Sequence, residues 1–151
     1  MLLVLKPHYG QDISRIKEVN LSNIRFIDEE FFEKNGISSY EFVASCDAMI
    51  TDYSSIYFDY TLCDRPIAAV WEDLEEYKQK PGLIDNYEFY MSGAEKLYNI
   101  DDLIGFVQRI GDDIDLLVSE RRKIRDISNY STDGKNASRV VDFIVDKAKL
   151  G

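Results

Sequence analysis

Apolar residues along this chain fall into two rhythms. Short runs at Leu2–Leu5, Ile24–Ile27, Ala48–Thr51 and Pro66–Val70 each end in polar residues, the pattern of buried strands. Between them, apolar positions recur at helical spacing, which predicts helices over Asp12–Val19, Ser38–Ser45 and Ser54–Leu62. Ser38 is an expected N-cap, with Glu41 at the spacing of a capping box, in which each side chain bonds the other residue's backbone N–H. Strand and helix alternate. That order favours a parallel sheet with helical crossovers, an α/β fold.

From Glu72 to Gly93 the rhythm breaks. Pro81-Gly82 marks a turn, and Tyr87, Phe89 and Tyr90 follow no clear period. The stretch reads either as a flap over a site or as a packed surface loop. Helical spacing then resumes. Asn99 or Asp101 can cap a helix carrying Leu103, Ile104, Val107 and Ile110, and further helices are expected over Asp113–Ser128 and Ala137–Leu150. No internal repeat, low-complexity tract or domain linker interrupts the pattern.

Candidate chemistry sits where the strands end. After Ala48–Thr51 come Asp52-Tyr53-Ser54-Ser55 and then an aromatic-rich helical pattern: strand, tight polar turn, helix start. A helix start leaves backbone N–H groups unpaired and carries partial positive charge, so it suits a phosphate. Ser54 and Ser55 can cap that helix, or donate hydroxyls to phosphate oxygens. The first run leads through Lys6-Pro7 to His8, the only histidine, and the fourth leads into Trp71-Glu72-Asp73 with Glu76-Tyr77 behind it. Parallel strands would bring these ends to one sheet edge, where open α/β sheets bind ligands. His8 could there donate to a phosphate oxygen or move a proton, whereas Lys6 reads as a solvated strand residue.

The pieces Leu5-Lys6-Pro7-His8, Cys46-Asp47-Ala48-Met49-Ile50-Thr51-Asp52-Tyr53-Ser54-Ser55-Ile56-Tyr57-Phe58-Asp59-Tyr60 and Arg65-Pro66-Ile67 resemble the CDP-glycerol glycerophosphotransferase family. So do Asp73-Leu74-Glu75-Glu76-Tyr77 and Asp133-Gly134-Lys135-Asn136-Ala137-Ser138-Arg139-Val140-Val141, in matching order over nearly the whole chain. This family comprises teichoic acid primases and polymerases of bacterial cell-wall synthesis. The resemblance implies a Rossmann-like parallel sheet with helices on both faces, like the C-terminal, donor-binding half of a GT-B glycosyltransferase. The implied donor is CDP-glycerol or a related CDP-polyol. The implied acceptor is a lipid-linked polyol phosphate.

Displacement at the β-phosphorus of such a donor needs charge neutralisation on the pyrophosphate and a base for the attacking hydroxyl. Thr51, Ser54 and Ser55 with the helix start are the expected phosphate ligands, and the resemblance associates His8 with the donor phosphates. Asp52, a carboxylate too near the phosphates to welcome them, reads as a turn-stabilising residue or an orienting partner of His8. Asp73 or Glu76 could bind ribose hydroxyls, or be solvated loop carboxylates. The family carries its base in a separate N-terminal acceptor domain, and its donor domain opens with a strand that this sequence lacks. The chain is therefore expected to be a partial donor domain, inactive alone, whose strands either pair directly or recruit a second copy. A CDP-ribitol or nucleotide-sugar transferase fragment and a non-catalytic nucleotide-binding domain remain alternatives.

Charge and composition narrow this further. At 151 residues, 45% hydrophobic and 13% aromatic, the chain suits one folded domain. A net charge of −10 argues against nucleic-acid binding, which needs a basic footprint. The densest cationic stretch, Arg121-Arg122-Lys123 with Arg125, reads as a solvated helix face because Glu120 and Asp126 flank it. Cys46 and Cys63 have no metal-ligand spacing, and no carboxylate pair has it either, so neither metal nor cofactor is expected. With no signal segment and no apolar run near the ~20 residues that span a bilayer, the reading is cytoplasmic, peripheral at the inner membrane face in longer family members.

Overall fold

The leading apolar run forms β1 (Leu3–Leu5), paired in parallel with β2 (Ile24–Phe26), so that Leu3 faces Ile24 and Leu5 faces Phe26. This comes from a computed structural model describing residues 1–7, 22–79 and 84–149. The expected helix over Asp12–Val19 lies outside those residues. The chain divides into two compact units, Met1–Cys46 and Asp47–Gly151.

In the first unit, α1 (Glu29–Asn35) was not expected from the apolar spacing, because it is short and mostly charged outside Phe31-Phe32. Its ends are nevertheless well marked. Asp28 accepts the N–H of Phe31 at 3.1 Å, and Gly36, at φ 62°, closes the helix in the left-handed region that glycine tolerates. The helix α2 (Ser39–Ser45) has the expected capping box: Ser38 Oγ accepts from Glu41 N at 3.1 Å and Glu41 accepts from Ser38 N at 2.7 Å. Those bonds hold the Glu41 carboxyl below its usual range. Phe31, Phe32 and Phe42 meet edge-to-face at 5.5–6.1 Å, the arrangement that aromatic quadrupoles favour. Lys6 is ion-paired with Glu29 at 2.8 Å.

The second unit follows the alternating plan. Its elements are β3 (Met49–Thr51), α3 (Ile56–Tyr60) running into a 3-10 turn at Thr61–Cys63, and β4 (Ile67–Val70). Then come α4 (Leu74–Tyr77), α5 (Tyr87–Tyr90) with a 3-10 turn at Met91–Gly93, and β5 (Glu95–Leu97). The helices α6 (Ile100–Gly111), α7 (Val118–Ser128) and α8 (Asn136–Ala148) complete it. The sheet order is β3-β4-β5, all parallel, with Thr51 opposite Ala69 and Val70 opposite Leu97. Parallel sheets with helical crossovers make the fold α/β and Rossmann-like, as the alternation predicts. The described strands hydrogen-bond in two groups, β1 with β2 in the first unit and β3 with β4 and β5 in the second.

Two packing layers hold the second unit. Ala68, Leu97 and Phe106 are buried together, joined by Ala48, Ile50, Leu103 and Ile110, so α6 covers the sheet. Asn99, not Asp101, caps α6, accepting from the N–H groups of Asp101 and Asp102. Elsewhere α7 packs on α3 and both 3-10 turns. Arg121, on the inner face of α7 and 1% exposed, grips Asp115 through both guanidinium N–H arms and lies 3.7 Å from Asp64. Arg122 donates to Asp64 at 2.8 Å, and that bond chiefly holds the Asp64 carboxyl below its ordinary range. The expected solvated basic face is thus corrected at Arg121. Helical spacing turns it inward with Ile124, and carboxylates compensate its burial. The last helix, α8, buries none of its residues and leaves Val140, Val141, Phe143 and Ile144 exposed.

Gly93 marks a close approach in this packing. A Cβ there would lie 2.7 Å from the Arg121 Cα and 2.8 Å from the Tyr57 hydroxyl, with backbone on one side that cannot swing away. Gly93→Ala is expected to destabilise the fold by about 1–3 kcal/mol, the usual cost of overpacking. Urea unfolding monitored by circular dichroism measures this, and an unchanged midpoint would show that α7 does not seat on the turn.

Candidate functional site

Parallel pairing fixes where the polar turns emerge. Because β3, β4 and β5 run in one direction, Asp52–Ser55, Trp71–Asp73 and Tyr98–Asn99 all leave the sheet at its carboxyl edge. The N–H of Trp71 donates to the Leu97 carbonyl at 2.8 Å, carrying the β4–β5 ladder to that edge.

Four residues shape the first turn. Thr51 closes β3, half-buried. Asp52 Oδ1 accepts the N–H of Ser54 at 3.1 Å, an Asx turn, so its side chain is engaged in turn geometry as one of its two expected roles requires. Ser54 caps α3 only loosely, its Oγ 3.5 Å from the Ile56 N, while its carbonyl accepts from Tyr57 N at 3.3 Å. Ser55 occupies the N-cap position in helical conformation, φ −65° and ψ −15°, and its side chain makes no capping bond. Both serines are exposed. An exposed serine hydroxyl not used in capping is free to donate to a ligand oxygen.

Behind this turn lies a group of aromatics that the sequence did not disclose. Tyr53 donates its hydroxyl to Asp73 Oδ1 at 2.7 Å. Its ring stacks on Tyr77 at 3.8 Å with an 18° tilt and lies 5.8 Å from Tyr87. Trp71 and Tyr87 are buried, 5.9 Å apart, and the Lys96 ammonium sits 4.2 Å from the Trp71 ring centroid. Burial first, then the bond and charge of Asp73, raise the Tyr53 phenol above its ordinary range; burial first, then the charge of Asp52, raise that of Tyr87. Both hydroxyls stay protonated at neutral pH. The described parts of the irregular stretch therefore include short helices, of which Tyr77 and Tyr87 pack against Tyr53 and Trp71 at the sheet edge while Phe89 stays exposed. Their period was illegible because α4 and α5 span one turn each.

Of the anticipated site residues, the structure collects Thr51, Asp52, Ser54 and Ser55 at one turn and ties Asp73 to it through Tyr53. Glu76 is exposed on α4, one position before Tyr77. His8 lies outside the described residues, as do Pro81 and Gly82. Among the described residues, no group of His, Cys, Asp and Glu side chains is placed to hold a metal ion, and no helix is long and apolar enough to cross a membrane. Cys46 and Cys63 are not joined in a disulfide.

Comparison with known proteins adds three findings. A family model described as CDP-Glycerol:Poly(glycerophosphate) glycerophosphotransferase matches residues 1–146. The chain is similar to a teichoic acid glycerol-phosphate primase of Bacillus subtilis (strain 168), 27% identical over 125 residues, covering 83% of this chain and 31% of that protein. It is also similar to a teichoic acid ribitol-phosphate primase of Bacillus spizizenii, 34% identical over 110 residues, covering 71% of this chain and 26% of that protein. The chain thus spans about a third or less of the length of these curated relatives. No solved structure matches it.

The buried phenols make a prediction. Tyr57, inside α3, is pushed up to about 12 by burial. A phenol whose folded pKa is raised leaves stability untouched below its unfolded value, near pH ~10, and weakens the fold as pH rises from there toward the folded value. Alkaline titration followed by phenolate absorbance should therefore show a late group of tyrosines that ionises together with loss of structure. Tyr57→Phe and Tyr87→Phe should each shrink that late amplitude. Full ionisation of every tyrosine near pH ~10 with the fold intact would contradict the packing.

Proposed function

Because the chain belongs to the CDP-glycerol:poly(glycerophosphate) glycerophosphotransferase family, we propose that it forms the donor-binding part of an enzyme transferring glycerol phosphate from CDP-glycerol to a lipid-linked polyol phosphate acceptor, in teichoic acid or related cell-wall polymer synthesis. One observation carries the reading. The turn after β3 presents Ser54 and Ser55, both exposed, immediately before a helix start and next to Thr51.

In the reaction, an acceptor hydroxyl attacks the β-phosphorus, the bond from that phosphorus to the bridging oxygen breaks, and CMP departs with the bridging oxygen. Charge builds on the pyrophosphate oxygens as this happens. Thr51, Ser54 and Ser55 donate to those oxygens, together with amide N–H groups at the head of α3, and stabilise the developing charge. Asp52 holds the turn. Asp73, with Glu76 as the other candidate, accepts from the ribose hydroxyls. His8 is assigned to the donor phosphates by its position in the matching motif. The hydroxyl's proton passes to a base supplied by an acceptor-binding region beyond these residues. In this reading residues 1–151 act as one donor domain. The whole enzyme works at the inner face of the cell membrane, and self-association through exposed apolar surface such as that of α8 belongs to the same proposal.

A second donor has its own support. The similarity to a ribitol-phosphate primase favours CDP-ribitol as the alternative, since a pyrophosphate site would look the same for both. Calorimetry with CDP-glycerol, CDP-ribitol, UDP-glucose and CMP distinguishes the readings. A CDP-polyol is expected to bind more tightly than CMP or UDP-glucose. Ser54→Ala combined with Ser55→Ala should weaken it by about a hundred-fold or more, since hydrogen bonds to a charged group contribute about 1.5–3 kcal/mol each. Absence of binding to any of the four would overturn the proposal in favour of a non-catalytic domain.

A further inference from the structure

Within that donor-site reading, we infer that Tyr53 is a positioning residue, which holds Asp73 by one carboxylate oxygen so that the other meets the ribose hydroxyls of the nucleotide donor. The placement of Tyr53 argues for this. It stands between Asp52, which fixes the turn through the Ser54 N–H, and the two exposed serines. From there its hydroxyl reaches across from the exit of β3 to the exit of β4 and donates to Asp73 Oδ1 at 2.7 Å. One residue thus links the turn assigned to phosphate with the carboxylate assigned to ribose.

The backbone of Asp73 is tied to the stacking partner of Tyr53 by the first turn of α4. Its carbonyl accepts the N–H of Tyr77 at 2.9 Å, and the Tyr77 ring stacks on Tyr53 at 3.8 Å. Carboxylate and backbone of Asp73 are therefore both tied to the stacked tyrosines. A carboxylate has roughly four acceptor sites, so one phenol leaves ample capacity for a vicinal diol. The raised phenol pKa keeps Tyr53 a donor, never a competing anion beside Asp73.

An aromatic that merely packs would behave differently, and the contrast provides the test. Tyr53→Phe keeps the stack on Tyr77 and removes only the hydroxyl. Affinity is measured by calorimetry for wild type, Tyr53→Phe, Asp73→Asn and the double variant, against CDP-glycerol and its 2′,3′-dideoxyribose analogue. Thermal melts run alongside. Tyr53→Phe is expected to weaken CDP-glycerol binding about five-fold, to add little on top of Asp73→Asn, and to leave affinity for the dideoxy donor unchanged. Its melting temperature should stay close to wild type, because an exposed hydrogen bond contributes little to stability.

Equal losses on both donors would show that the hydroxyl only shapes the turn, and would overturn the inference. So would no loss on either. If the wild-type chain binds CDP-glycerol but discriminates no ribose hydroxyls, the inference falls while the donor-site reading stands. If wild type binds no CDP-polyol at all, both fall.

Discussion

The parallel pairing of β3, β4 and β5 is the constraint on which the rest of the second unit depends. Parallel strands cannot be joined by tight hairpins; each must return by a crossover, and all leave the sheet from the same edge. The chain therefore spends α3 and its 3-10 turn between β3 and β4, and α4 with α5 between β4 and β5. The polar segments that follow each strand have no choice but to gather at the carboxyl edge. Small residues make the central strand possible. Ala68 and Ala69 are fully buried, with neighbours on both sides and α6 above.

Holding this arrangement requires a second anchor away from the edge. It comes from α7, whose inner face carries Ile124 and the buried guanidinium of Arg121. An isolated charge at such depth would be costly, and its bidentate donation to Asp115, with Asp64 nearby, compensates it. The same arginine's backbone lies against Gly93, so the turn that delivers the chain into β5 is seated on α7. Asn129 continues the contact, donating to the carbonyl of Phe58 within α3 at 3.0 Å and to Thr61 Oγ1 just past its end at 3.2 Å. Thus the helix that begins at the serine turn is fastened at its far end.

What could be read from the sequence followed from local rules. The buried runs gave strands to within a residue or so of those observed, and Ser38 with Glu41 announced α2 because capping is set by the residues themselves. The Thr51–Ser55 turn was legible for the same reason: short polar residues between an apolar run and a helical pattern have few other conformations. The strand β5 was not legible. Glu95-Lys96-Leu97 carries two charges in three residues, and only a sheet already in place gives it a partner. Its charges are met locally, Glu95 by Arg109 and Lys96 by the Trp71 ring. Arg121 was misread as solvated because its compensating acids are distant in sequence or separated by a turn. The tie from Tyr53 to Asp73 spans 20 positions, a distance over which no periodicity speaks.

The central claim is that the turn leaving β3 receives the pyrophosphate of a nucleotide donor. Backbone amide NMR of the chain titrated with CDP-glycerol tests it most directly, because amides that bond phosphate oxygens shift strongly. The account predicts that the largest perturbations fall on the amides of Ser54, Ser55 and Ile56, at the head of α3. Saturable binding that leaves those amides unmoved while perturbing residues elsewhere would contradict it.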